Sequence, residues 1–361
     1  MTSRPFEAGP TWARPSWPLS RAMASKVVGS SVFSAASLPA PEQAGEALVY
    51  KLSDCSLGPG VPAVCALGSF DGLHLGHRAL LDAAAQDAKG RGVPLVAVTF
   101  DPDPSEVLLE HPQERLLPTR ERIRSLASCG ADALVVHRFS REFAAIAYDR
   151  YLLDVLGSLV RPVSLHVGSN FRFGAKGAGT PAAMAALGKE HGFDVTGHDL
   201  VTFGGRPVSS TRTRALLRKG DVAGAAELLD RAHYVSGRVE HGRGEGTSFG
   251  FPTANVTLDP WDCIPANAVY AGYFVLDGRA WPAAINVGTP PSFKTKDRAM
   301  LEANLIGFSG DIYGASARVV FLEKLRPSRR FDSLAELERT VLGNIAWVRD
   351  NLGDGSVEVS A

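Results

Sequence analysis

Cysteine is scarce in this chain: four in 361 residues, at positions 55, 65, 129 and 263, with no C-x-x-C among them. That scatter argues against a disulfide framework and against the common zinc spacings, and it fits a reducing cytosol. An excess of either charge is lacking as well, since 38 basic residues balance 38 acidic ones. Bulk attraction to nucleic acid or to an anionic membrane therefore has no source in net charge, although a local phosphate pocket stays open. No apolar run approaches the ~20 residues that cross a bilayer. No G-x-x-x-x-G-K-[ST] occurs, which excludes a Walker-type ATPase, and the G-x-G near Gly242 falls in a β-rich stretch, outside the context of a dinucleotide fingerprint. There is no internal repeat. Core-forming side chains are sparse in the first 45 or so residues, which are rich in Ser, Ala and Pro and poor in acids. That composition suits a transit peptide, a disordered tail or a start upstream of an initiator at Met23. A disordered extension over 1–45 is the expectation, on a cytoplasmic monomer or transient homo-oligomer.

What is present is an ordinary globular balance, 45% hydrophobic and 21% charged, at a length that suggests two domains. Residues 61–68 (VPAVCALG) form an apolar run expected as a buried strand, followed by a loop and a helix through Lys89 closed by Gly90. Further strands are expected at 93–100, 131–138, 162–168 and 193–201, with helical patterns between them, notably 140–158, and a closing helical stretch at 210–230. Strands alternating with helices imply a doubly wound parallel sheet over 46–230. From 231 the pattern changes to short β segments at 233–240, 252–258, 269–276, 280–287, 300–308 and 315–324. Asp277-Gly278 is a hairpin signal between two of them. This is the pattern of a small antiparallel barrel over 231–352, ending in an amphipathic helix from about Ser333 to Leu352 and a loose tail at 353–361.

The first chemical constellation follows the first strand: Gly68-Ser69-Phe70-Asp71-Gly72-Leu73-His74-Leu75-Gly76-His77. A glycine-rich turn entering a helix N-terminus presents free N–H groups and the positive end of the helix dipole to phosphate. His74 and His77, three apart, share a helix face and can donate hydrogen bonds to departing pyrophosphate. Gly76 leaves room for close nucleotide approach. Read alone, this is also a tight turn with two surface histidines. Ser209-Ser210-Thr211-Arg212-Thr213-Arg214 supplies hydroxyls and arginines at a second helix start, which alone reads as an N-cap with a basic first turn.

The second constellation is SGRVEHGRGEGTSFGFPTAN at 236–255. Its glycines, Gly242 and Gly250 among them, let a loop fold over phosphates. Thr253 and Asn255 alternate along an extended segment, so their oxygens project to one side, where they can hold a magnesium ion shared with phosphate. A flexible hairpin loop before a strand is the plainer alternative.

Together GSFDGLHLGH, VTFDPDP (98–104), HVGSNFRFG (166–174), VSSTRTR (208–214) and GFPTAN resemble bacterial bifunctional riboflavin kinase/FAD synthetase over about residues 60–352. The resemblance implies a nucleotidyltransferase-type Rossmann-like domain and a riboflavin kinase barrel. They would act on riboflavin, FMN and ATP with Mg2+, without nucleic acid or membrane partners. It implies ATP and phosphate contacts at Gly68, Phe70, Asp71, His74, Gly76, His77, Asn170, Ser210, Thr211 and Arg214, and a general base at Glu302, within Met300-Leu301-Glu302-Ala303-Asn304-Leu305. The segments Asn286-Val287-Gly288-Thr289 and Arg330-Phe331-Asp332-Ser333-Leu334 also match. Departures from the family pattern are Ser69 for Asn, Asp103 for the His of F-x-P-H-P, Thr213 for an aliphatic residue, Asn304 for His, and Thr247 and Pro290 for Arg. Asp103 brings a carboxylate toward anionic substrates, so it is expected to reduce affinity, with Asp103→His raising kcat/KM. Three other readings remain: a kinase whose first module is an adenylylation-deficient scaffold or ligand sensor, a non-catalytic flavin binder, and a cytidylyltransferase, which would leave GFPTAN unexplained.

Overall fold

The computed structural model describes residues 38–241, 253–288 and 300–359. In the N-terminal half, β3 (Pro62–Leu67), β4 (Leu95–Asp101), β5 (Ala133–Arg138), β6 (Arg161–Gly168) and β7 (Asp194–His198) run parallel in the order β5-β4-β3-β6-β7. Ala63 to Ala66 and Val96 to Val98 are fully buried, which is why they read as unbroken apolar runs. A hairpin, β1 (Glu42–Ala44) and β2 (Ala47–Lys51), adds antiparallel to β5. β1 falls inside the stretch expected to be disordered. Chain order reverses direction in space beside β3, so the cleft at the carboxyl ends of β3 and β6 is where such a sheet receives ligands.

Helix α1 (Leu75–Arg91) links β3 to β4. It runs through Gly90 and ends at Gly92, whose φ of +65° gives the left-handed cap. Two short elements follow β4: α2 (Pro104–Leu108) and α3 (Thr119–Ala127). The 140–158 stretch is not one helix. It breaks at Ala147, in extended conformation, and Tyr151–Leu156 is wound as a π-helix. The break lets Phe143 and Tyr151 both pack on His137, at 5.2 and 5.4 Å, so tertiary packing overrides the helical period. After α4 (Pro181–His191) and a short antiparallel ribbon of β8 (Thr202–Phe203) and β9 (Arg206–Pro207), the 210–230 stretch is two helices, α5 (Ser210–Leu217) and α6 (Val222–Leu229). They are separated at Gly220, where φ is +75°, and at the N-cap Asp221.

The C-terminal half is a closed barrel. β10 (His233–Glu240), β11 (Ala254–Leu258), β12 (Ala268–Leu276), β13 (Arg279–Gly288), β14 (Met300–Leu305) and β15 (Ser316–Pro327) follow the order β12-β15-β10-β11-β14-β13, closed by β12 on β13. Asp277 and Gly278 take the positive φ values, +48° and +72°, that their hairpin turn needs. Helix α7 (Leu334–Leu352), capped by Ser333, buries Ile345, Val348 and Leu352. Val357–Glu358, within the expected loose tail, pairs with β13. No helix among the described residues is long and apolar enough to cross a membrane.

The halves share a core. Leu117, Ile123 and Leu126 pack in one cluster with Tyr234, Tyr273 and Val320 of the barrel. Glu121 of α3 is buried and meets Arg318 of β15 at 2.9 Å. Next to this seam the Arg115 N–H donates to the Trp261 carbonyl, and the Cys263 N–H to the Arg115 carbonyl. Asp262 sits between them, 4% exposed, with neither carboxylate oxygen hydrogen-bonded. Burial, with the nearby Asp259 carboxylate, pushes its pKa up to about 7. The folded chain thus holds a proton that the unfolded chain releases near pH 4, so stability falls as pH rises through about 4–7 and is lowest above that range. Asp262→Asn should raise unfolding free energy at pH 8 by about 1–3 kcal/mol, allowing for the buried amide, and change little at pH 4. Denaturant titrations at the two pH values measure this, and equal effects at both would exclude a buried titrating carboxyl.

Candidate functional site

Strand β3 delivers the loop 68–74 to the carboxyl edge of the sheet, and the loop is held under strain. Phe70 and Leu73 take φ of +53° and +43° although neither is glycine. Burial of both side chains in the core offsets that cost. His74 is the N-cap of α1, its Nδ1 accepting the His77 N–H at 3.3 Å. The two rings stack with centroids 3.7 Å apart. Gly76 fits beneath them, since a Cβ there would meet the His74 ring at 3.2 Å. Burial lowers the His74 pKa to about 4; a backbone hydrogen bond restores part of it, and the Arg214 charge adds a smaller lowering. Burial, His74 and Arg122 hold His77 well below the ordinary imidazole value. Both rings are therefore neutral near pH 7. With His74 Nδ1 accepting and His77 Nδ1 buried without a partner, Nε2 is the nitrogen each ring can offer a ligand.

A cavity of about 820 Å³ opens here. Of the residues expected at the site, Gly68, Phe70, His74, Gly76, His77, Asn170, Ser210 and Thr211 line it. Asp71 and Arg214 do not. Arg214 donates to the Asp71 carboxylate and to the Glu114 carbonyl, and both side chains are under 10% exposed. The Ser210 hydroxyl donates to the Asp71 carbonyl at 2.9 Å, so α5 and the loop are tied together behind the cavity wall. Thr213, fully buried, turns its hydroxyl back to the Ser209 carbonyl at 3.0 Å. A larger groove of about 970 Å³ beside the β1–β2 hairpin collects none of the expected residues.

Asp103 lines the cavity but is partnered. It caps α2 in a capping box with Glu106, and its second oxygen lies 3.4 Å from the buried Arg122 guanidinium. The expected uncompensated carboxylate is thus a paired one, and Asp103→His would strip Arg122 of its acidic partner and leave it the Phe100 carbonyl. Loss of the cap and of the buried pair should make Asp103→Ala less stable by about 2–3 kcal/mol. Urea unfolding tests this, and a loss below about 0.5 kcal/mol would mean that the pair contributes nothing.

The aromatic wall of the cavity was not legible in advance. Phe100, Phe139, Phe143, Phe171 and Phe173 line it with Tyr151, and their rings contact in sequence: Phe100–Phe143 6.1 Å, Phe143–Tyr151 5.7 Å, Tyr151–Phe173 5.3 Å. Such a wall accepts a large planar ring.

On the barrel, Asn255 of β11 lies directly across from Glu302 of β14, and Glu302 directly across from Asn286 of β13. The three therefore stand in one row across adjacent strands. Ala254, Val256, Leu301 and Ala303 alternate with them and fill the core, so the row faces outward. Asn255 is nearly buried, and Thr253 precedes it by two residues on the same side. Gly242, Thr247, Gly250, Thr289 and Pro290 lie outside the described residues. No cluster of three or more His, Cys, Asp or Glu among the described residues is placed to hold a metal. A cation at this row would rest on neutral oxygens and on phosphate, a donor set that fits a hard divalent ion.

The family model for FAD synthetase matches residues 60–212, and the model for riboflavin kinase matches residues 229–352. The chain is 36% identical to the bifunctional riboflavin kinase/FMN adenylyltransferase of Escherichia coli K12, over 85% of this chain and 98% of that protein. It is 31% identical to the same-named protein of Bacillus subtilis, over 77% and 89%. In structure it resembles a macrolide-efflux protein from Streptococcus pneumoniae, with a TM-score of 0.73, 26% identity, and coverage of 83% of this chain and 97% of that one. With both family models in chain order and relatives matched along nearly their whole length, the chain belongs to the bifunctional riboflavin kinase/FMN adenylyltransferase family.

Proposed function

We propose that the barrel phosphorylates riboflavin with ATP to give FMN and ADP, and that the N-terminal half transfers AMP from ATP to FMN, releasing pyrophosphate. The halves divide after Asp230. The observation that carries the reading is the single cavity in which a neutral histidine pair at a helix N-terminus faces an aromatic wall. One end suits a triphosphate and the other an isoalloxazine ring.

In the adenylylation site the FMN phosphate oxygen attacks the α-phosphorus and the bond to pyrophosphate breaks. The nucleophile is already ionised, so positioning and charge stabilisation suffice. His74 and His77 donate from Nε2, the α1 N-terminus and the Thr211 hydroxyl add donors, Ser210 and Arg214 tie the loop from behind, and Arg214 also acts through its field. In the kinase site the nucleophile is a neutral ribityl hydroxyl. Glu302 takes its proton as the oxygen attacks the γ-phosphorus and ADP departs. Thr253 and Asn255 would hold Mg2+, which when bound neutralises phosphate charge. Four free cysteines support a reducing, cytoplasmic setting.

Incubation with riboflavin and Mg-ATP, with chromatographic separation of products, tests the whole. FAD should accumulate after FMN. FMN without FAD from oxidised or reduced flavin would leave the kinase-plus-scaffold reading. Asn255→Ala should raise the KM for Mg-ATP in FMN formation about tenfold and leave FAD formation from supplied FMN unchanged. An equal rise in both reactions would remove Asn255 from the kinase site.

A further inference from the structure

Between α6 and β10, where the two halves meet, a cation is buried with no carboxylate among its hydrogen-bond partners. Arg231 is 5% exposed. Its Nη1 donates to the Ala232 carbonyl at 3.0 Å and its Nη2 to the Gly72 carbonyl at 3.1 Å, while Nε is buried without a partner. The guanidinium lies over the Tyr234 ring, 5.3 Å from its centroid, and the Asp71 and Glu121 charges act on it only through space. We propose that Arg231 is a positioning residue for adenylylation: by holding the Gly72 carbonyl it fixes the loop that presents His74, His77 and the α1 N-terminus to phosphate. The inference rests on the adenylylation reading above.

Stability alone gives no reason for a charge at this place. A guanidinium stays protonated at pH 7, and taking it out of water is costly unless a counter-ion is in contact. An apolar side chain of similar volume fills such a site at least as well. What an apolar side chain cannot do is donate to Gly72. That residue takes a φ of +78° between Phe70 and Leu73, which hold +53° and +43°, and a Cβ on it would meet the Leu116 side chain at 2.8 Å. Backbone of this kind persists only where its surroundings over-determine it.

The holds come from three elements. From the segment before α3, the Leu116 N–H donates to the Asp71 carboxylate at 3.0 Å. From α5, Arg214 donates to the same carboxylate and the Ser210 hydroxyl to the Asp71 carbonyl. From the junction, Arg231 takes the next carbonyl along, that of Gly72. His74, the α1 N-cap, follows two residues later. Pyrophosphate charge develops against that helix end as the bond to the α-phosphorus breaks, so a loop displaced by about 1 Å should cost rate by up to about 10²-fold. ATP binding should suffer less, because ATP also offers the cavity a nucleoside that the loop does not hold.

The test uses the intact protein, with FMN formation in the barrel as internal reference. Arg231→Met keeps the length and removes the donor and the charge. It should lower kcat for FAD formation about 10- to 100-fold, raise the KM for ATP in that reaction by less than about threefold, and leave FMN formation within about twofold of the parent. Arg231→Lys, whose ammonium still offers a donor, should fall between the two, about threefold down in kcat. A folded Arg231→Met that makes FAD within about twofold of the parent rate overturns the inference, and so does an Arg231→Lys no better than Arg231→Met. Should a thermal melt show that Arg231→Met does not fold, Arg231→Lys decides alone: a loss confined to FAD formation supports the inference, and no loss, or an equal loss in both reactions, overturns it. If the unmutated chain makes no FAD, the adenylylation reading fails on its own, and added pyrophosphate then decides. It should move the His74 and His77 resonances of the parent and not those of Arg231→Met. Equal shifts in both proteins, or none in the parent, overturn the positioning role.

Discussion

Glu302→Gln should lower FMN formation by about 10²–10⁴-fold while riboflavin still binds. The ribityl hydroxyl is a poor nucleophile until its proton leaves, and a carboxylate is the group on this barrel face able to accept it. Glu302 stands across from Asn255 on one side and Asn286 on the other, and neither neighbour is a base. The glutamine keeps the shape and the strand pairing but cannot accept a proton, so the loss should appear in kcat rather than in binding. Stopped assays of FMN with increasing pH separate this from a folding defect: the residual rate of the variant should climb with hydroxide while the parent's does not. A variant that turns over within about threefold of the parent would place the base elsewhere.

The two sites differ in how much of them a sequence can disclose. The central strands were legible because they are buried on both faces, so burial writes itself as unbroken apolar runs at Ala63–Ala66 and Val96–Val98. The H-x-G-H loop was legible because its residues are contiguous. On the barrel, Thr253 and Asn255 were readable as a pair from strand alternation, but that Glu302 faces Asn255 depends on register between strands whose partner segments are far apart in the chain. The β1–β2 hairpin was missed because its outer strand, Glu42–Ala44, is mostly exposed and carries no apolar pattern. Partnerships across long separations were missed for the same reason. Asp103 looked like a misplaced charge because Arg122 is 19 positions away, and Arg214 looked like a phosphate ligand because nothing local reveals that it turns toward Asp71. The aromatic wall is assembled from Phe100 at the end of β4, Phe139 and Phe143 after β5, and Phe171 and Phe173 in the loop after β6, so that its continuity depends on the sheet order and not on any one segment. Local rules govern caps, turns and alternation; the polarity of a cavity is set by which elements the sheet order brings together.

His77→Ala should abolish FAD formation, by about 10²–10³-fold or more, and leave FMN formation intact. His77 is held by its stack on His74 and by Phe70, whose ring meets it edge-on at 5.4 Å. Removing it deletes a donor at the helix N-terminus, where leaving-group charge develops, and frees His74 to move. No described residue of the barrel lines this cavity, so its reaction supplies a control within the same molecule. The charge state sharpens the prediction. Burial keeps both imidazoles neutral, His74 with a pKa of about 4. Since kcat/KM reports the free enzyme, its profile for FAD formation should show no ionisation of this pair between about pH 6 and 8. A positioned N–H therefore does the work, and the polyphosphate raises the affinity of both rings for a proton only once it is bound. An inflection near pH 6.5 that vanished in His77→Ala would mean that an imidazolium, and not a neutral donor, meets the substrate. Equal loss of FMN and FAD formation in His77→Ala would instead mean that the substitution damages the shared core, and a thermal melt of the variant against its parent tells those outcomes apart.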